Sequence, residues 1–439
     1  YKQYWKGHSD TETLVHAFSQ WGITKTLDQL VGMFAIAVWD LKSKKLYLIR
    51  DRFGEKPLYY GWSNGVFLFG SELKALRAYK GFNNQIDRNV LSLYMQYMYV
   101  PTPYSIFKDV YKLEPGYILQ VDESGRTRPI EKITSSVFSA QGVSIKQWYS
   151  LSSVAKRNQN NLIEDEDEAI ELLEKTLLES VQSQLISDVP LGAFLSGGID
   201  SSMIVGLMNK ISSHPVKTFT IGFEESAFNE AIYAKEVAKH LGTDHHELYV
   251  TASDAFEVIP SLHTIYDEPF ADSSQIPTYL VSKLARQHVT VALSGDAGDE
   301  LFGGYNRYLW GERVWSKLKW IPPIMRQTLG TAIQKLPAST WDAAGYLLPN
   351  KYKVASMGDK AHRMAYRLKT VNSLDDMYHS LVTEGFNESG LVYSDNSILK
   401  TKLNDSSIVS DIGESEQRMM LWDSLTYLPD DILTKVDRA

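Results

Sequence analysis

The chain has 439 residues, of which 44% are hydrophobic and 22% charged, and its formal net charge is -8. That length exceeds what one hydrophobic core usually supports, so we expect two or three domains. The composition excludes a largely disordered chain, and the acidic balance argues against a nucleic-acid or anionic-membrane partner. With no apolar run long enough for a bilayer and no visible signal peptide, the sequence predicts a cytoplasmic protein.

The sequence contains no cysteine. This excludes disulfides, a cysteine-ligated zinc site and a thiol nucleophile within these residues. The first residue is Tyr1 rather than methionine, and residues 432–439 continue a helical pattern without a stop signal. We therefore expect the chain to be part of a longer protein, cut at both ends.

Residues 1–121 are predicted to form an α+β domain. Short apolar runs with strand-like alternation recur here, separated by turn signals such as Ser63-Asn64-Gly65, and this pattern predicts consecutive β-hairpins. Three tryptophans, Trp5, Trp21 and Trp39, are predicted to belong to the core. The predicted helices and strands lie at 10–20, 34–39, 46–49, 59–62, 66–69 and 87–97.

Residues 122–163 are rich in Ser, Gln, Asn and Lys and show little periodicity. They are predicted to form a linker, with one short strand near Trp148. The acidic run Glu164–Glu168 follows, and apolar residues then continue at helical spacing. Because carboxylates favour the positive end of a helix dipole, this run predicts the solvated first turn of a helix.

Residues 164–439 are predicted to form a second domain of α/β class. From Val189 onward, short apolar runs alternate with helical patterns, which is typical of a parallel sheet with helices on both faces. Beyond Trp310 the pattern is helical. The predicted strands are 191–195, 218–223, 247–250 and 289–293, and the predicted helices between them are 201–210, 229–241 and 276–286.

The most specific chemical signal is Leu195–Ser202 (LSGGIDSS), between a predicted strand and a predicted helix. Its glycines allow close backbone approach, and the free amides of the helix start suit an anion. Asp200 could bind a divalent cation that neutralises phosphates. The chain has no Gly-Lys dipeptide, so the Walker A phosphate loop is absent.

A second loop, Ser294–Tyr305 (SGDAGDELFGGY), follows another predicted strand and contains three carboxylates and four glycines. Clustered carboxylates repel one another, and a bound cation is a common reason to keep them together. Asp200 and Asp299 are therefore predicted to converge on one Mg²⁺ that bridges ATP phosphates. A third polar segment, Asp267–Ser274, precedes a predicted helix.

These two loops, together with Tyr427–Ala439, resemble the synthetase half of glutamine-hydrolysing asparagine synthetases, whose first loop is that of the N-type ATP pyrophosphatases. The resemblance implies an α+β amidotransferase domain of the N-terminal-nucleophile type, incomplete at its start. It also implies a following α/β ATP-pyrophosphatase domain with a helical C-terminal part, incomplete at its end. The motifs similar to the family's glutaminase domain are Ser9–Glu12, Gly32–Ala35, Arg50–Tyr60 and Ser71–Leu76.

The resemblance also implies a reaction and its cofactors, ATP and Mg²⁺. ATP would adenylate the side-chain carboxylate of aspartate and release pyrophosphate. Ammonia from glutamine would then attack the acyl-adenylate, giving asparagine, glutamate and AMP. The implied partners are small-molecule substrates, and the assembly, for which a homodimer is one option, is left open.

The resemblance assigns roles to individual residues. Asp200 and Asp299 would hold Mg²⁺, and Asp296 would support formation of the adenylate. Asp431 and Lys435 fall in a motif near the second substrate, and Asp10 would bind the amino group of glutamine. The residues expected at ATP are Leu195, Ser196, Gly197, Gly198, Asp200, Ser201, Ser202, Ile221, Ser294 and Gly295.

The chain also departs from the family pattern. The family's cysteine nucleophile, an arginine and an Asn-Gly-Glu segment should precede Tyr1. An Arg-Val-Pro-Phe-Leu-Asp-like stretch and a lysine should follow Ala439. Ala297 stands where the family commonly has glycine.

Two alternatives stay open from the sequence. A related amidotransferase could amidate another carboxylate, such as a sugar acid in surface-polysaccharide biosynthesis, or close a β-lactam in a relative that lacks the cysteine. The chain could instead be an inactive scaffold that binds nucleotide or partners. The intact carboxylates of Asp200, Asp296 and Asp299 argue against the scaffold.

Overall fold

A computed structural model describes residues 5–127, 138–224, 229–346, 356–384, 391–393 and 399–439. The chain divides into two compact units. The first comprises Tyr1–Gln85 and Thr102–Leu151, and the second comprises Ile86–Pro101 and Ser152–Ala439. A segment from the middle of the first unit's sequence thus belongs to the second unit.

The first unit is built on two antiparallel sheets. Its elements in chain order are α1 (Asp10–Gln29, interrupted at Gly22), β1 (Ala35–Asp40), β2 (Lys45–Arg50), β3 (Tyr59–Ser63), β4 (Val66–Gly70), α2 (Leu73–Arg77), β5 (Val110–Lys112), β6 (Tyr117–Val121), β7 (Phe138–Ala140) and β8 (Val143–Gln147). One sheet has the strand order β1-β2-β6-β8-β7 and the other has the order β4-β3-β5. The α+β class predicted for this part of the chain is confirmed.

The predicted hairpins form at the predicted positions. β1 pairs with β2, and β3 pairs with β4 across a turn in which Asn64 and Gly65 have φ of 49° and 76°. Positive φ at both central residues suits the right-handed twist of the two strands. The core between the elements includes the fully buried Leu48, Tyr60 and Leu119.

The motif that begins at Arg50 folds around its own charged side chains. The buried carboxylate of Asp51 accepts from the amides of Phe34, Phe53, Glu55 and Lys56 at 2.9–3.1 Å. The Arg50 guanidinium in turn donates to three backbone carbonyls, those of Gly54, Lys56 and Leu113, at 2.8–2.9 Å. A buried charge needs such partners, so this motif has a structural role in the first unit.

Residues 138–158, predicted as linker with one short strand, form two strands and a helix. Strand β8 pairs with the whole of β6, from Tyr117↔Gln147 to Val121↔Val143, and a helix begins at Leu151. Val143 and Ile145 are buried, whereas Lys146 is exposed. The one short strand predicted near Trp148 corresponds to β8, whereas β7 and the helix were not predicted. Every second residue of such a half-buried strand is polar, which lowers its average hydrophobicity.

The core positions predicted for three tryptophans are also wrong. Trp5, Trp21 and Trp39 are each 53% exposed. Trp39 lies on β1, which has a single neighbouring strand, and its side chain points to the open face of that strand. Residue type alone does not decide which face of a strand is covered.

The second unit is built on a parallel sheet. Its elements are α3 (Arg88–Tyr97), α4 (Leu151–Asn158), α5 (Glu166–Gln184), β9 (Leu191–Phe194), α6 (Ile199–Ile211), β10 (Lys217–Phe223), α7 (Ala231–Leu241), β11 (Asp244–Val250), α8 (Ala252–Val258), α9 (Leu262–Ile265), α10 (Gln275–Ala285), β12 (Val291–Leu293), α11 (Gly298–Phe302), α12 (Asn306–Leu318), α13 (Pro323–Lys335), α14 (Ala338–Tyr346), α15 (Met357–Thr370), α16 (Leu374–Val382), α17 (Ser415–Leu425) and α18 (Leu433–Arg438). The strand order is β11-β10-β9-β12 and all pairs are parallel. The predicted α/β sheet and the helical C-terminal part are confirmed.

The acidic run Glu164–Glu168 lies at the N-terminus of helix α5, as predicted. Its N-cap Asp165 accepts from the amide of Glu168 at 2.8 Å, and three acidic residues occupy its first turn. Its apolar face packs, through Val181, on the core that β9 and α6 share. Over the part of the chain that the structure describes, none of the helices combines the length and apolar character that crossing a membrane requires.

Candidate functional site

The predicted phosphate loop lies where β9 is followed by α6. The amide of Leu195 still belongs to the sheet and donates to the carbonyl of Phe219 at 2.9 Å. The Ser196 hydroxyl then lies 2.9 Å from that of Ser201 and accepts from the amide of Gly198 at 3.2 Å. No described side chain caps the start of α6, so its first amides are available to bind an anion.

Glycines allow the two predicted loops to approach each other closely. Gly197 has a φ of +80°, and a Cβ there would lie 2.7 Å from a backbone nitrogen of α7. A Cβ on Gly295 would lie 2.7 Å from the amide nitrogen of Ser201, and one on Gly298 would lie 2.6 Å from the carboxylate of Asp200. The second loop therefore packs directly on the first, as the sequence predicted.

The acidic residues of the two loops interact. Burial raises the pKa of Asp299, and the neighbouring carboxylates of Asp200 and Asp296 raise it further. No group of three or more His, Cys, Asp or Glu side chains in the described residues could hold a metal by itself. Mg²⁺ commonly uses one or two carboxylates and takes its other ligands from phosphates and water, so Asp200 and Asp299 fit that ion as a pair.

The two loops border a cavity of about 870 Å³ in the second unit. That volume is within the range of small-molecule sites. Gly197 and Ser202 belong to the first loop but do not line this cavity. The predicted residues that line it are Leu195, Ser196, Gly198, Asp200, Ser201, Ile221, Ser294, Gly295, Asp296 and Asp299.

Asp431 and Lys435 lie behind the cavity surface rather than on it. They are 3% and 7% exposed. The Lys435 ammonium lies 3.2 Å from a carboxylate oxygen of Asp272 and donates to the hydroxyl of Ser274 at 3.0 Å. Ser274 and Ile432 line the cavity, so the lysine meets the cavity through the serine.

The carboxyl groups of Asp272 and Asp431 act on each other's ionisation, and two neighbouring carboxylates out of water disfavour both being charged. Burial, followed by the charge of Asp272, raises the pKa of Asp431 to about 8. Burial also acts to raise the pKa of Asp272, but Lys435 and the hydrogen bonds from Ser274 outweigh it and lower that pKa. Asp431 is therefore the protonated member of the pair at neutral pH.

The backbone at Asp431 is unusual. Residues Leu428–Ile432 form a π-helical turn, which places Asp430 and Asp431 together in the interior at 4% and 3% exposure. Asp431 Oδ1 has no hydrogen-bond partner among the described residues. Isolated π-helical turns often occur at functional sites, and a buried oxygen without a partner costs free energy.

Sequence reasoning missed several residues of the cavity wall. Glu300, only 1% exposed, accepts from the hydroxyl of Tyr305 at 2.7 Å, and both residues line the cavity. Asp272 and Ser274 were likewise given no role. The available signal was their position in the acidic loop and in the polar segment before α10, but no local pattern indicates which of these side chains become buried.

Asp10, predicted to bind glutamine, begins helix α1 in the first unit. Its side chain is exposed and accepts from the hydroxyls of Ser9 and Thr11 at 3.2 and 3.4 Å. The neighbouring Glu12 accepts from the amides of Lys6 and Gly7. The carboxylate of Asp10 is accessible at a helix start, and its role with glutamine stays a prediction.

Comparison with known proteins matches both parts of the chain to family models. Residues 172–439 match the model "Asparagine synthase", and residues 1–132 match a "Glutamine amidotransferase domain". The first match covers more than half of the chain.

The chain is also similar to proteins that are named asparagine synthetases, in agreement with these family models. The chain is 34% identical over 435 residues to "Putative asparagine synthetase (glutamine-hydrolyzing) 2" of Methanocaldococcus jannaschii, which covers 98% of this chain and 76% of the relative. It is 36% identical over 301 residues to asparagine synthetase (glutamine-hydrolyzing) 1 of Bacillus subtilis, covering 68% of this chain and 44% of the relative. The chain therefore spans about three quarters of the archaeal relative and less than half of the bacterial one.

The order of the two units, the paired loops of the parallel sheet and the family matches agree with one another. Members of this family are glutamine-dependent amide ligases that use ATP. The chain belongs to the asparagine synthase family and carries a glutamine amidotransferase domain in front of its synthetase part.

Proposed function

We propose that the chain belongs to an enzyme that converts aspartate, glutamine and ATP into asparagine, glutamate, AMP and pyrophosphate. The observation that carries this proposal is the convergence of the amide-rich loop around Ser196 with Asp200 and Asp299 at one cavity. Such a site can hold the phosphates of ATP and neutralise their charge. The names of the relatives support aspartate as the acceptor.

In the first step, a carboxylate oxygen of aspartate attacks the α-phosphorus of ATP, and the bond to pyrophosphate breaks. The free amides at the start of α6 and the hydroxyls of Ser196 and Ser201 would bind the departing phosphates. Mg²⁺, when held by Asp200 and Asp299, would offset their negative charge. We assign support of adenylate formation to Asp296, which lines the same cavity.

In the second step, ammonia attacks the acyl carbon of the β-aspartyl-adenylate. The new carbon–nitrogen bond replaces the carbon–oxygen bond to AMP, and the nitrogen loses a proton. AMP is a far better leaving group than an oxide, which is why the carboxylate must first be adenylated. We place Lys435 and Asp431 beside the acceptor, acting through Ser274 in the cavity wall.

The test of this proposal is pyrophosphate release by the full-length protein with ATP, Mg²⁺ and a panel of carboxylic acids. Release that depends on aspartate, with asparagine as product, is the expected result. Release with a sugar acid or another carboxylate alone would reassign the acceptor within the same chemistry. No release with any acid, despite ATP binding, would favour a nucleotide-binding scaffold.

The source of ammonia can be tested separately. The 439-residue chain has no cysteine, so it should produce no glutamate from glutamine above background, because no thiolate can attack the amide. We assign binding of the glutamine amino group to Asp10 in the full-length protein, where Asp10→Asn should raise KM for glutamine. The same variant should leave synthesis from free ammonia unchanged. Glutamine turnover by the 439-residue chain would contradict this view of its first unit.

A further inference from the structure

A buried carboxylate joins three helices of the second unit. Asp423, on α17, is 0% exposed. Its Oδ2 accepts from Nε of Arg307 at 2.9 Å and from the Tyr308 hydroxyl at 2.6 Å, and its Oδ1 accepts from the Tyr378 hydroxyl at 2.7 Å. Nη2 of Arg307 also lies 2.8 Å from Oδ2. Helices α12, α16 and α17 therefore meet at this one side chain.

The guanidinium of Arg307 is held between two aromatic rings. Its Cζ lies 3.9 Å from the ring centre of Tyr305 and 4.8 Å from that of Tyr427. A planar guanidinium can stack on aromatic faces and pair with a carboxylate at the same time, which a lysine ammonium cannot do. Asp423 thus sets the direction of the guanidinium, and the guanidinium supports the ring of Tyr305.

Tyr305 extends this chain of contacts to the cavity. Its hydroxyl donates to Glu300 at 2.7 Å, and Tyr305 and Glu300 are both part of the cavity wall. Arg307 and Asp423 do not line the cavity themselves. The contact route from this ion pair to the cavity wall is therefore through Tyr305, beside the direct action of its charges on Asp299 and Glu300.

Helix packing alone does not account for this ion pair. Desolvating two opposite charges commonly costs about as much as their attraction returns, and apolar side chains of similar volume can join helices equally well. A buried carboxylate with three hydrogen-bond donors does, however, define the orientation of each donor more narrowly than apolar contacts would. Tyr305, which stacks on Arg307 and lines the cavity, is the residue whose position this fixed orientation of the guanidinium defines.

We propose that Arg307 and Asp423 are positioning residues for amide synthesis, which hold Tyr305 so that its hydroxyl and Glu300 present a fixed polar wall to the reacting groups. This inference rests on the proposed function, because its readout is the rate of pyrophosphate release. The Asp423–Arg307 pair would thus position a side chain of the cavity wall, whereas the two loops would bind the phosphates.

The test compares Arg307→Lys, Tyr305→Phe and the double variant of the full-length protein. Arg307→Lys keeps the charge but loses the planar stack and the hydrogen bond from Nε to Asp423, so kcat should fall ~10–100-fold, the size of effect that a small misplacement near the chemistry can produce. KM for ATP should stay within ~2-fold, since the phosphate loops are untouched. In the Tyr305→Phe background, Arg307→Lys should lower kcat by less than ~3-fold, because the two residues act as one unit.

Tyr378→Phe is the control for a purely structural role. It removes the hydrogen bond to the other oxygen of Asp423 and leaves Arg307 in place, so it should lower the urea midpoint but keep kcat within ~2-fold. Equal losses of kcat in Tyr378→Phe and Arg307→Lys would overturn the positioning role of Arg307 and leave the proposed function standing. Additive losses of kcat in the Arg307→Lys, Tyr305→Phe double variant would have the same meaning. Lack of pyrophosphate release by the wild type with every acid would overturn the proposed function and this inference with it.

Discussion

The glycine-rich loops and the cluster around Lys435 border the same cavity, but they are assembled over different distances in the chain. Within the first loop, Ser196 bonds to Ser201, which is five positions away. In the cluster, Lys435 bonds to Ser274 across 161 positions. The loops bring glycine-rich backbone, serine hydroxyls and carboxylates to the cavity surface, whereas the cluster consists of charged side chains that packing has largely removed from water.

This difference implies different sensitivities. The loops should tolerate little added volume and depend on their carboxylates for charge neutralisation during the reaction. The cluster should respond mainly in stability, because one cation and one proton balance two buried carboxyl groups. Four predictions test this contrast, from the largest expected effect to the smallest.

Asp200→Asn and Asp299→Asn should each reduce pyrophosphate release by at least ~10³-fold, because each removes a ligand of the cation that would stabilise the phosphates by several kcal/mol. Both substitutions are nearly isosteric, so the variants should stay folded by circular dichroism. Glu171→Gln, an exposed change on α5, serves as the control. Wild-type rates for either aspartate variant at saturating Mg²⁺ would refute the two-loop cation site.

Lys435→Met should lower the free energy of unfolding by about 3 kcal/mol, since it leaves the carboxylate of Asp272, only 11% exposed, without its cation. Urea denaturation measures this loss. The matched control is Lys210→Met, whose ion pair with Glu174 is 2.6 Å long but lies on the surface, with side chains 59% and 54% exposed. Its effect should stay below about 1 kcal/mol. Equal effects of the two substitutions would contradict the burial argument.

Gly298→Ala should lower pyrophosphate release by ~100-fold, which corresponds to about 2.7 kcal/mol of barrier. The added methyl would lie 2.6 Å from the carboxylate of Asp200 and displace it. Gly206→Ala is the control, because a Cβ there meets nothing within 4 Å and Gly206 lies within α6. That change should leave activity intact and raise stability by up to about 1 kcal/mol. An active Gly298→Ala variant would mean that the two loops need not touch.

Asp431→Asn should flatten the pH dependence of stability. Asp431 keeps its proton in the folded protein up to about pH 8, whereas an ordinary aspartate in the unfolded chain loses it near pH ~4. The stability linked to this proton is therefore fully present below pH ~4 and is lost as the pH rises towards the folded pKa.

The measurement is urea denaturation at several pH values. Between pH ~5 and ~8 the wild type should lose stability steadily relative to Asp431→Asn, which cannot ionise. The pKa of Asp272 is lowered rather than raised in the folded protein. Its ionised carboxylate therefore contributes stability at neutral pH, and that contribution is lost only as the pH falls into the acidic range. Parallel curves for the wild type and the variant would show that the pKa of Asp431 is not raised in the folded protein.

The elements predicted from local patterns were largely confirmed. The hairpins, the alternation of strands and helices after Val189 and the acidic N-terminus of α5 depend on neighbours a few positions apart. The strand predicted near Trp148 is β8, but β7 and the helix that begins at Leu151 were not predicted, because residues 122–163 show little periodicity. The assignment of Ile86–Pro101 to the second unit has no local signal, because it depends on contacts with distant segments.

The sequence by itself determined the fold class, the family and the two loops that meet at the cavity, because strand ends, glycines and carboxylates within a few positions specify them. Only the tertiary structure decided that Lys435 reaches the cavity through Ser274, that burial raises the pKa of Asp431, and that Asp423 orients Arg307. Desolvation decides these features, and the burial of a side chain depends on segments more than a hundred positions away. No local pattern carries that information.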